Sequence, residues 1–291
     1  MSHQNGQPMA VVFNQGYSSD RSIAQSHSLE SSFISSRSTL PGRQPIALIA
    51  VHSDPAAVGG QEAAKSHNGY VRQVGEALAS LGWQVDMFTR KTDPDNQPIA
   101  QHSPYCRTIR LVAGPQKVIP SGEVLEYLPQ FITAFQKFQA KEGTNYPLVH
   151  THHWLSAWVG LQLKSNINLQ LVHTHHSLGT LKYRIFDDKP PIANTRLAVE
   201  QQILEEANCI VAANIQEREQ LRSLISTPQK LQMVQSSTEI DSFRLSHLYR
   251  RLLAQSIMDE RLWQLPDAWE LGDSPVKVSA VTSAKSLTPI S

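Results

Sequence analysis

Short apolar runs alternate along most of the chain with longer segments whose apolar residues recur at helical spacing. The run from Ile46 to Val51 is uninterrupted, which is typical of a strand buried on both faces of a sheet. Further short runs predict strands at residues 83–88, 108–112, 148–150, 169–173, 209–213 and 231–234.

The segments between these runs predict helices. Their apolar spacing places helices at residues 70–81, 122–141, 154–163, 196–207 and 215–224. Strands that alternate with helices of ten or more residues form βαβ units, whose right-handed crossovers place helices on both faces of a parallel sheet. We therefore predict an α/β fold with one doubly wound Rossmann-like domain over residues 45–243.

The two ends of the chain have different patterns. A helical apolar stripe over residues 244–265, which includes Leu245, Leu248 and Leu252, predicts a C-terminal helix packed back on the sheet domain. Residues 1–44, rich in serine, and residues 266–291 contain too few apolar residues to form a core, so we expect two disordered tails. The serine-rich tail is either a site of phosphorylation or docking, or a solvated extension.

Composition narrows the functional class. The 291 residues carry a formal net charge of +1, which argues against a nucleic-acid partner. No apolar run approaches the ~18 residues that span a bilayer, and the polar N-terminus does not resemble a secretory signal, so we expect no membrane partner. Two distant cysteines, Cys106 and Cys209, indicate inert buried thiols and a cytoplasmic protein.

Three segments follow predicted strands and contain the candidate chemistry. In an open α/β sheet, ligands bind beyond the carboxyl ends of the strands. Residues 51–55, 150–156 and 173–179 lie there, and the last two each contain a His-Thr-His-His sequence. Imidazoles bind metals, but no carboxylate or cysteine accompanies these histidines at a ligand spacing, so we expect neither a metal site nor a cofactor.

Several segments in order carry a resemblance to a known family. They are residues 54–57, 70–73, 81–90, 149–151, 154–156 and 176–179, followed by Arg196, Glu200 and residues 216–217. Between residues 46 and 243 the chain resembles the sucrose-phosphate-synthase and sucrose-synthase branch of the family-four glycosyltransferases. The resemblance implies the N-terminal half of a GT-B fold, in which this domain receives the acceptor sugar and a second domain holds the nucleotide-sugar.

The resemblance and the strand ends together give the candidate ligand-binding residues, which are Asp54, Asn68, His150, His176, Ser177, Arg196 and Glu200. His150 is the single catalytic candidate if the protein is active. Structural interpretations stay open beside these roles. His150 is also explained as a strand-end histidine, Asp54 as a loop cap, and Arg196 with Glu200 as an ion pair one helical turn apart.

Three departures from the family bear on activity. The family has Gly-Gly-x-Asn where this chain has residues 65–68, and of that motif only Asn68 is kept. Side chains on Lys65 and Ser66 are expected to obstruct the approach of donor phosphates to backbone amides. The family's Pro-x-Gly at the domain joint is also missing from residues 235–243.

The third departure is the largest. The resemblance implies a donor domain after Phe243, but residues 244–255 already resemble the family's closing helix. We therefore expect a pseudoenzyme, a non-catalytic regulatory or protein-binding module with its cleft face uncovered for a protein partner. The alternatives are a residual glycosyltransferase acting on sugar phosphates and a sugar-phosphate sensor without chemistry.

Overall fold

A computed structural model describes residues 42–57, 67–183, 190–234 and 239–263. The predicted tail at residues 266–291 lies outside these ranges, and so does the tail at residues 1–44 apart from residues 42–44. Within them one sheet contains eight strands: β1 (Gln44–Ile49), β2 (Trp83–Arg90), β3 (Ile99–Ser103), β4 (Cys106–Leu111), β5 (Leu148–His152), β6 (Gln170–Thr174), β7 (Cys209–Ala212) and β8 (Leu231–Met233).

The helices lie on the two faces of this sheet. They are α1 (His67–Ser80), α2 (Ser121–Val124), α3 (Leu128–Glu142), α4 (Trp154–Asn166), α5 (Gly179–Lys182), α6 (Ile192–Glu206), α7 (Ile215–Arg222) and α8 (Glu239–Trp263). Single 3-10 turns occupy Leu125–Tyr127 and Pro228–Lys230. No helix of the described ranges is long and apolar enough to cross a membrane.

The strand order is β3-β4-β2-β1-β5-β6-β7-β8, and all neighbours are parallel except β3 and β4. From β1 the chain winds outward through β2 and β4, and from β5 it winds in the opposite direction through β6, β7 and β8. The strand order therefore reverses between β1 and β5. This is the doubly wound arrangement that the sequence predicts, and its crevice opens beyond the carboxyl ends of these two strands.

Strand β1 shows how the sequence produces a two-sided core. Alternate residues of a strand point to opposite faces. Ile46 and Leu48 pack in the cluster beneath α1 and α8, whereas Ala47 and Ile49 pack in the cluster beneath α3, α4 and α6. All four are fully buried, which explains why the run is apolar without interruption.

Two local predictions need correction. The single helix predicted over 122–141 is divided into α2, a 3-10 turn and α3, because Pro129 lacks the N–H that a continuous helix requires and lies in the first turn of α3. The strand predicted at 108–112 begins at Cys106 and ends at Leu111, and Val112 is 55% exposed. Strand β3, absent from the prediction, pairs antiparallel with β4 across the bulge between Gln101 and Ser103.

The predicted packing of the terminal helix on the domain is confirmed. In α8, Ser246 Oγ accepts a hydrogen bond of 2.8 Å from the Trp83 indole nitrogen, and the Tyr249 ring meets the Trp83 ring edge-on. The helix begins at Glu239, so the boundary drawn at 243/244 falls inside it. The regular apolar stripe starts at Leu245, whereas the preceding turn carries Glu239 and Asp241, acidic residues suited to a helix N-terminus.

Candidate functional site

The three candidate segments converge at the carboxyl edge of the central strands. Residues 51–55 follow β1, His153 follows β5, and residues 175–179 follow β6. His153 N donates to Thr174 O across 2.9 Å, and the His52 and His153 rings lie 4.0 Å apart. The switch point of the sheet therefore brings together histidines that are distant in the chain.

His150 lies inside the domain, in the middle of β5 and two residues before the end of the strand. It is fully buried, and burial lowers its pKa to about 3. Its Nδ1 lies 2.6 Å from the Tyr249 hydroxyl and its Nε2 lies 2.9 Å from Thr174 Oγ1. Both ring nitrogens are thus engaged by neighbouring elements, which supports the structural interpretation of this residue; its catalytic role stays a prediction.

His176 lies nearer the surface and is half-buried. Its backbone takes a left-handed φ of 61°, an uncommon conformation for a residue with a side chain. Its Nε2 lies 3.0 Å from His152 Nδ1, and its ring meets the Tyr70 ring at 4.8 Å. His176 therefore belongs to a packed aromatic group that spans β5, α1 and the end of β6.

His173 and His175 extend the group into the interior on the α4 and α6 side. Their rings lie 4.4 Å apart and both are fully buried. Neither ring nitrogen of His175 finds a hydrogen-bond partner among the described residues. Burial lowers the pKa of His175 to about 3, with a smaller contribution from the Arg196 guanidinium. Both histidines are therefore neutral at physiological pH.

Arg196, Glu200 and Ser177 form one connected group. Arg196 Nε lies 2.6 Å from Glu200 Oε1, and its Nη2 donates to the carbonyl and hydroxyl oxygens of Ser177. The second Glu200 oxygen accepts the Gly179 amide at 2.7 Å. Burial raises the pKa of Glu200, an effect that Arg196 opposes. The group anchors the segment after β6 to α6, as the ion-pair interpretation predicts.

Asp54 is also held by other groups of the domain. Its Oδ1 accepts the Ala56 amide at 2.8 Å, and its Oδ2 lies 2.7 Å from Arg110 Nε. The first contact is the loop cap expected from the sequence. The second, an ion pair to β4, was not expected, because nothing in the pattern marks Arg110 as its partner.

Asn68 lies in the first turn of α1, and its side chain is outside the described set. The altered phosphate-loop positions Lys65 and Ser66 and the linking residues 235–238 are also outside it, so the consequences expected from them stay predictions.

Two cavities open at this edge of the sheet. The larger, about 650 Å³, is called here the edge cavity, and its wall includes His52, Asp54, Thr89, Arg90, Asp93 and Val124. The smaller, about 490 Å³, lies beyond β6 and β7, and its wall includes His176, Ser177, Lys182, Asn214 and Glu217. Both have the size of small-molecule sites, and their walls combine apolar surface with a few polar groups. Among the described residues no group of three His, Cys, Asp or Glu side chains is arranged to hold a metal.

Comparison with known proteins identifies the family. The glycosyl transferase 4-like domain matches residues 67–235, more than half of the chain. The chain belongs to the glycosyl transferase 4-like family.

Solved structures agree with this family. The chain is similar to the sucrose-phosphate synthase of Thermosynechococcus elongatus, with 50% identity, a TM-score of 0.60, and coverage of 66% of this chain and 48% of that one. A shorter chain of the same enzyme matches at 44% identity and a TM-score of 0.57, with coverage of 72% of this chain and 99% of that one. The predicted GT-B-type half-domain is therefore confirmed.

A curated relative gives the same assignment with a different substrate in its name. D-inositol 3-phosphate glycosyltransferase of Corynebacterium efficiens is 32% identical over 201 residues, covering 67% of this chain and 46% of the relative. The chain spans about half the length of the curated relatives it matches.

Two further residues of this glycosyl transferase 4-like domain hold the loops at the carboxyl ends of the strands in place. Glu217 accepts the amides of His176 and Ala213 on its two carboxylate oxygens, which joins the ends of β6 and β7. Arg90 donates to the carbonyl oxygens of Pro115 and Lys117 and so fixes the loop that walls the edge cavity. Both residues lie in segments that carry the family resemblance, but their contacts are to backbone carbonyls or amides, which the sequence pattern does not reveal.

Proposed function

We propose that this protein is a non-catalytic glycosyl transferase 4-like module, regulatory or protein-binding, without a donor-binding domain between β8 and α8. The observation that carries the proposal is the length of that link. Only residues 235–238 separate Val234, at the end of the sheet, from Glu239, where α8 begins. A link of four residues holds no second domain.

Chemistry in a two-domain cleft supports the same conclusion. Sugar transfer from a nucleotide requires groups that stabilise the leaving phosphates as charge develops, and such electrostatic stabilisation is usually the largest catalytic term. In this chain Arg196 is engaged by Glu200 and Ser177, and Arg110 by Asp54. Arg196, the cation predicted at the ligand edge, is thus neutralised inside the domain, and so is Arg110 beside the edge cavity.

The face that a second domain would cover is then available to a protein partner. Val118, in the wall of the edge cavity, is 84% exposed and Val112, directly after β4, is 55% exposed, so both apolar side chains are accessible to a partner. A cytoplasmic location agrees with the buried thiols of Cys106 and Cys209, the second with its pKa raised by burial to about 12.

A transfer assay tests the proposal. The purified protein is incubated with UDP-glucose and fructose 6-phosphate, with the Thermosynechococcus sucrose-phosphate synthase as positive control. We expect no transfer of glucose above the blank. Time-dependent transfer that scales with the concentration of this protein alone would refute the proposal in favour of a residual glycosyltransferase.

The edge cavity favours a second candidate function, a sugar-phosphate sensor. The polar groups of its wall, which include Asp54 and Arg90, suit a hydroxylated ligand, and relatives of the chain are named for inositol phosphate and sucrose phosphate. Calorimetry with fructose 6-phosphate distinguishes the two functions. A sensor binds it, loses affinity in Asp54→Asn and keeps affinity in Asp95→Asn, an exposed carboxylate outside the wall. If neither the wild type nor either variant gives a heat of binding with fructose 6-phosphate, the sensor function is excluded.

A further inference from the structure

A groove separates the outermost strand of the sheet from the first half of α8. Its volume is about 230 Å³, and its lining residues are Gln232, Met233, Val234, Arg244, His247 and Arg251, together with Leu248 at its base. It is called the basic groove below. It lies far along the sheet from the edge cavity, on the opposite side of the strands β1, β5 and β6.

Two properties of the basic groove define the chemistry of an occupant. Strand β8 ends the strand order, so no described strand pairs with its outer edge, and such an edge accepts an extended segment through main-chain hydrogen bonds. The facing side of α8 presents Arg251 and Arg244. Arg244 lies 3.2 Å from Asp241, the single described carboxylate here, but its side chain is 63% exposed and stays accessible to a second anion. The groove therefore suits an acidic extended segment.

We propose that the basic groove binds the acidic segment of this same chain that follows α8, residues 264–273. That segment contains Asp267, Glu270 and Asp273 and no basic residue. Its tether to α8 gives it an effective concentration far above that of a separate partner. If residues 264–273 are bound in this way, the disorder expected for residues 266–291 is limited to the residues after Asp273.

The distances specify which acids take part. At 1.5 Å per residue, Arg251 lies ~18 Å and Arg244 ~28 Å before the end of α8 at Trp263. A returning extended segment covers ~3.3 Å per residue, so Glu270 reaches back ~23 Å and Asp273 ~33 Å. Asp267 reaches only ~13 Å, part of which the reversal of direction uses. Glu270 and Asp273 therefore pair with the groove, and Asp267 does not.

Hydrogen exchange on the full chain tests this assignment. We expect the amides of residues 231–234 to exchange at least tenfold more slowly in the wild type than in Glu270→Gln/Asp273→Asn, with Asp267→Asn as the charge-matched control that keeps the protection. The amides of β1 serve as an internal reference for global stability. In 1 M salt the difference shrinks, because screening weakens exposed ion pairs.

Further variants and an added peptide identify the occupant of the basic groove. Arg251→Gln loses the same protection, and combining it with the two acid substitutions produces no additional loss. A synthetic peptide of residues 264–276 restores protection when added to Glu270→Gln/Asp273→Asn. Equal exchange in all variants overturns the proposal. Protection that instead rises with protein concentration and survives the acid substitutions also overturns it, since the occupant is then a second copy.

Discussion

The Nδ1 atom of His150 lies 2.6 Å from the hydroxyl oxygen of Tyr249, although 99 residues separate the two in the chain. Both side chains are fully buried. The contact joins the middle of the sheet to α8, and the Trp83–Ser246 hydrogen bond joins the same helix to β2. The terminal helix is therefore fixed by polar contacts as well as by apolar packing.

Removing the Tyr249 hydroxyl tests the strength of this contact. Tyr249→Phe leaves a buried imidazole nitrogen without its partner, which we expect to lower the free energy of unfolding by about 1–3 kcal/mol. Urea unfolding measures the change. Tyr105→Phe is the control, because Tyr105 is half-buried and contacts Arg43 through its ring face. Equal losses in the two variants would contradict the assigned role.

The buried histidines predict a loss of stability in mild acid. Burial lowers the pKa of His150 and of His175 to about 3, against about 6.5 in the unfolded chain. The unfolded state therefore binds more protons below pH 6.5, so stability is full above this pH and falls as the pH decreases through it. Each histidine contributes up to about 1.4 kcal/mol per pH unit below it.

Urea midpoints at pH 7.5, 6.5, 5.8 and 5.0 measure this effect. The range stops at pH 5 because burial raises the pKa of Glu200 and of Glu217, and protonation of these carboxylates acts in the opposite direction. A midpoint that stays constant from pH 7.5 to 5.0 would show that the histidines are accessible to protons in the folded state.

Arg196 and Glu200 form a buried ion pair four residues apart on α6. Arg72 and Glu76 form an exposed ion pair with the same spacing on α1. Both side chains of the buried pair are 4% exposed, whereas those of Arg72 and Glu76 are 44% and 40% exposed. Arg196→Met leaves a buried carboxylate uncompensated and is expected to cost about 3–5 kcal/mol. Arg72→Met is expected to cost less than about 1 kcal/mol. Similar urea midpoints for the two variants would indicate that the buried site takes up water.

Alanine substitutions at two glycines with a left-handed backbone distinguish the cost of backbone strain from the cost of steric overlap. Gly114 and Gly143 have φ of 69° and 62°. An added Cβ at Gly143 meets nothing within 4 Å, whereas one at Gly114 lies 2.4 Å from the Tyr127 ring. Gly143→Ala is expected to cost about 1–2 kcal/mol. Gly114→Ala is expected to lower the free energy of unfolding by a further ~1–3 kcal/mol, because the Cβ overlaps the Tyr127 ring. Thermal unfolding of both variants measures the two losses. Equal costs would mean that Tyr127 moves without penalty.

The sequence predicts those parts of the fold that depend on local pattern. The apolar run of β1 and the alternation of strands with helices give the doubly wound sheet and the convergence of three segments at one edge. Strand β3 was missed because Ile99–Ser103 is short, largely polar and at the sheet margin. Its pairing with β4 is settled by tertiary contact and not by its own pattern.

The candidate site divides in the same way. The i,i+4 spacing of Arg196 and Glu200 predicts their pairing, and the turn chemistry of Asp54 predicts its cap. The two partners of His150 are 99 and 24 residues away, and the second partner of Asp54 is 56 residues away. The partners of a side chain that two elements bury together are known only once the elements are packed, which is why the sequence left both a ligand role and a structural role open for these residues.

The short connection between Val234 and Glu239 has a consequence for the architecture of related proteins. Its two ends are fixed independently, one by the β7–β8 pairing and the other by the packing of α8 against Trp83. Four intervening residues keep these ends within ~18 Å of each other. Since neither end depends on the residues that join them, we expect a longer insertion at this point to leave the sheet register and the core unaltered.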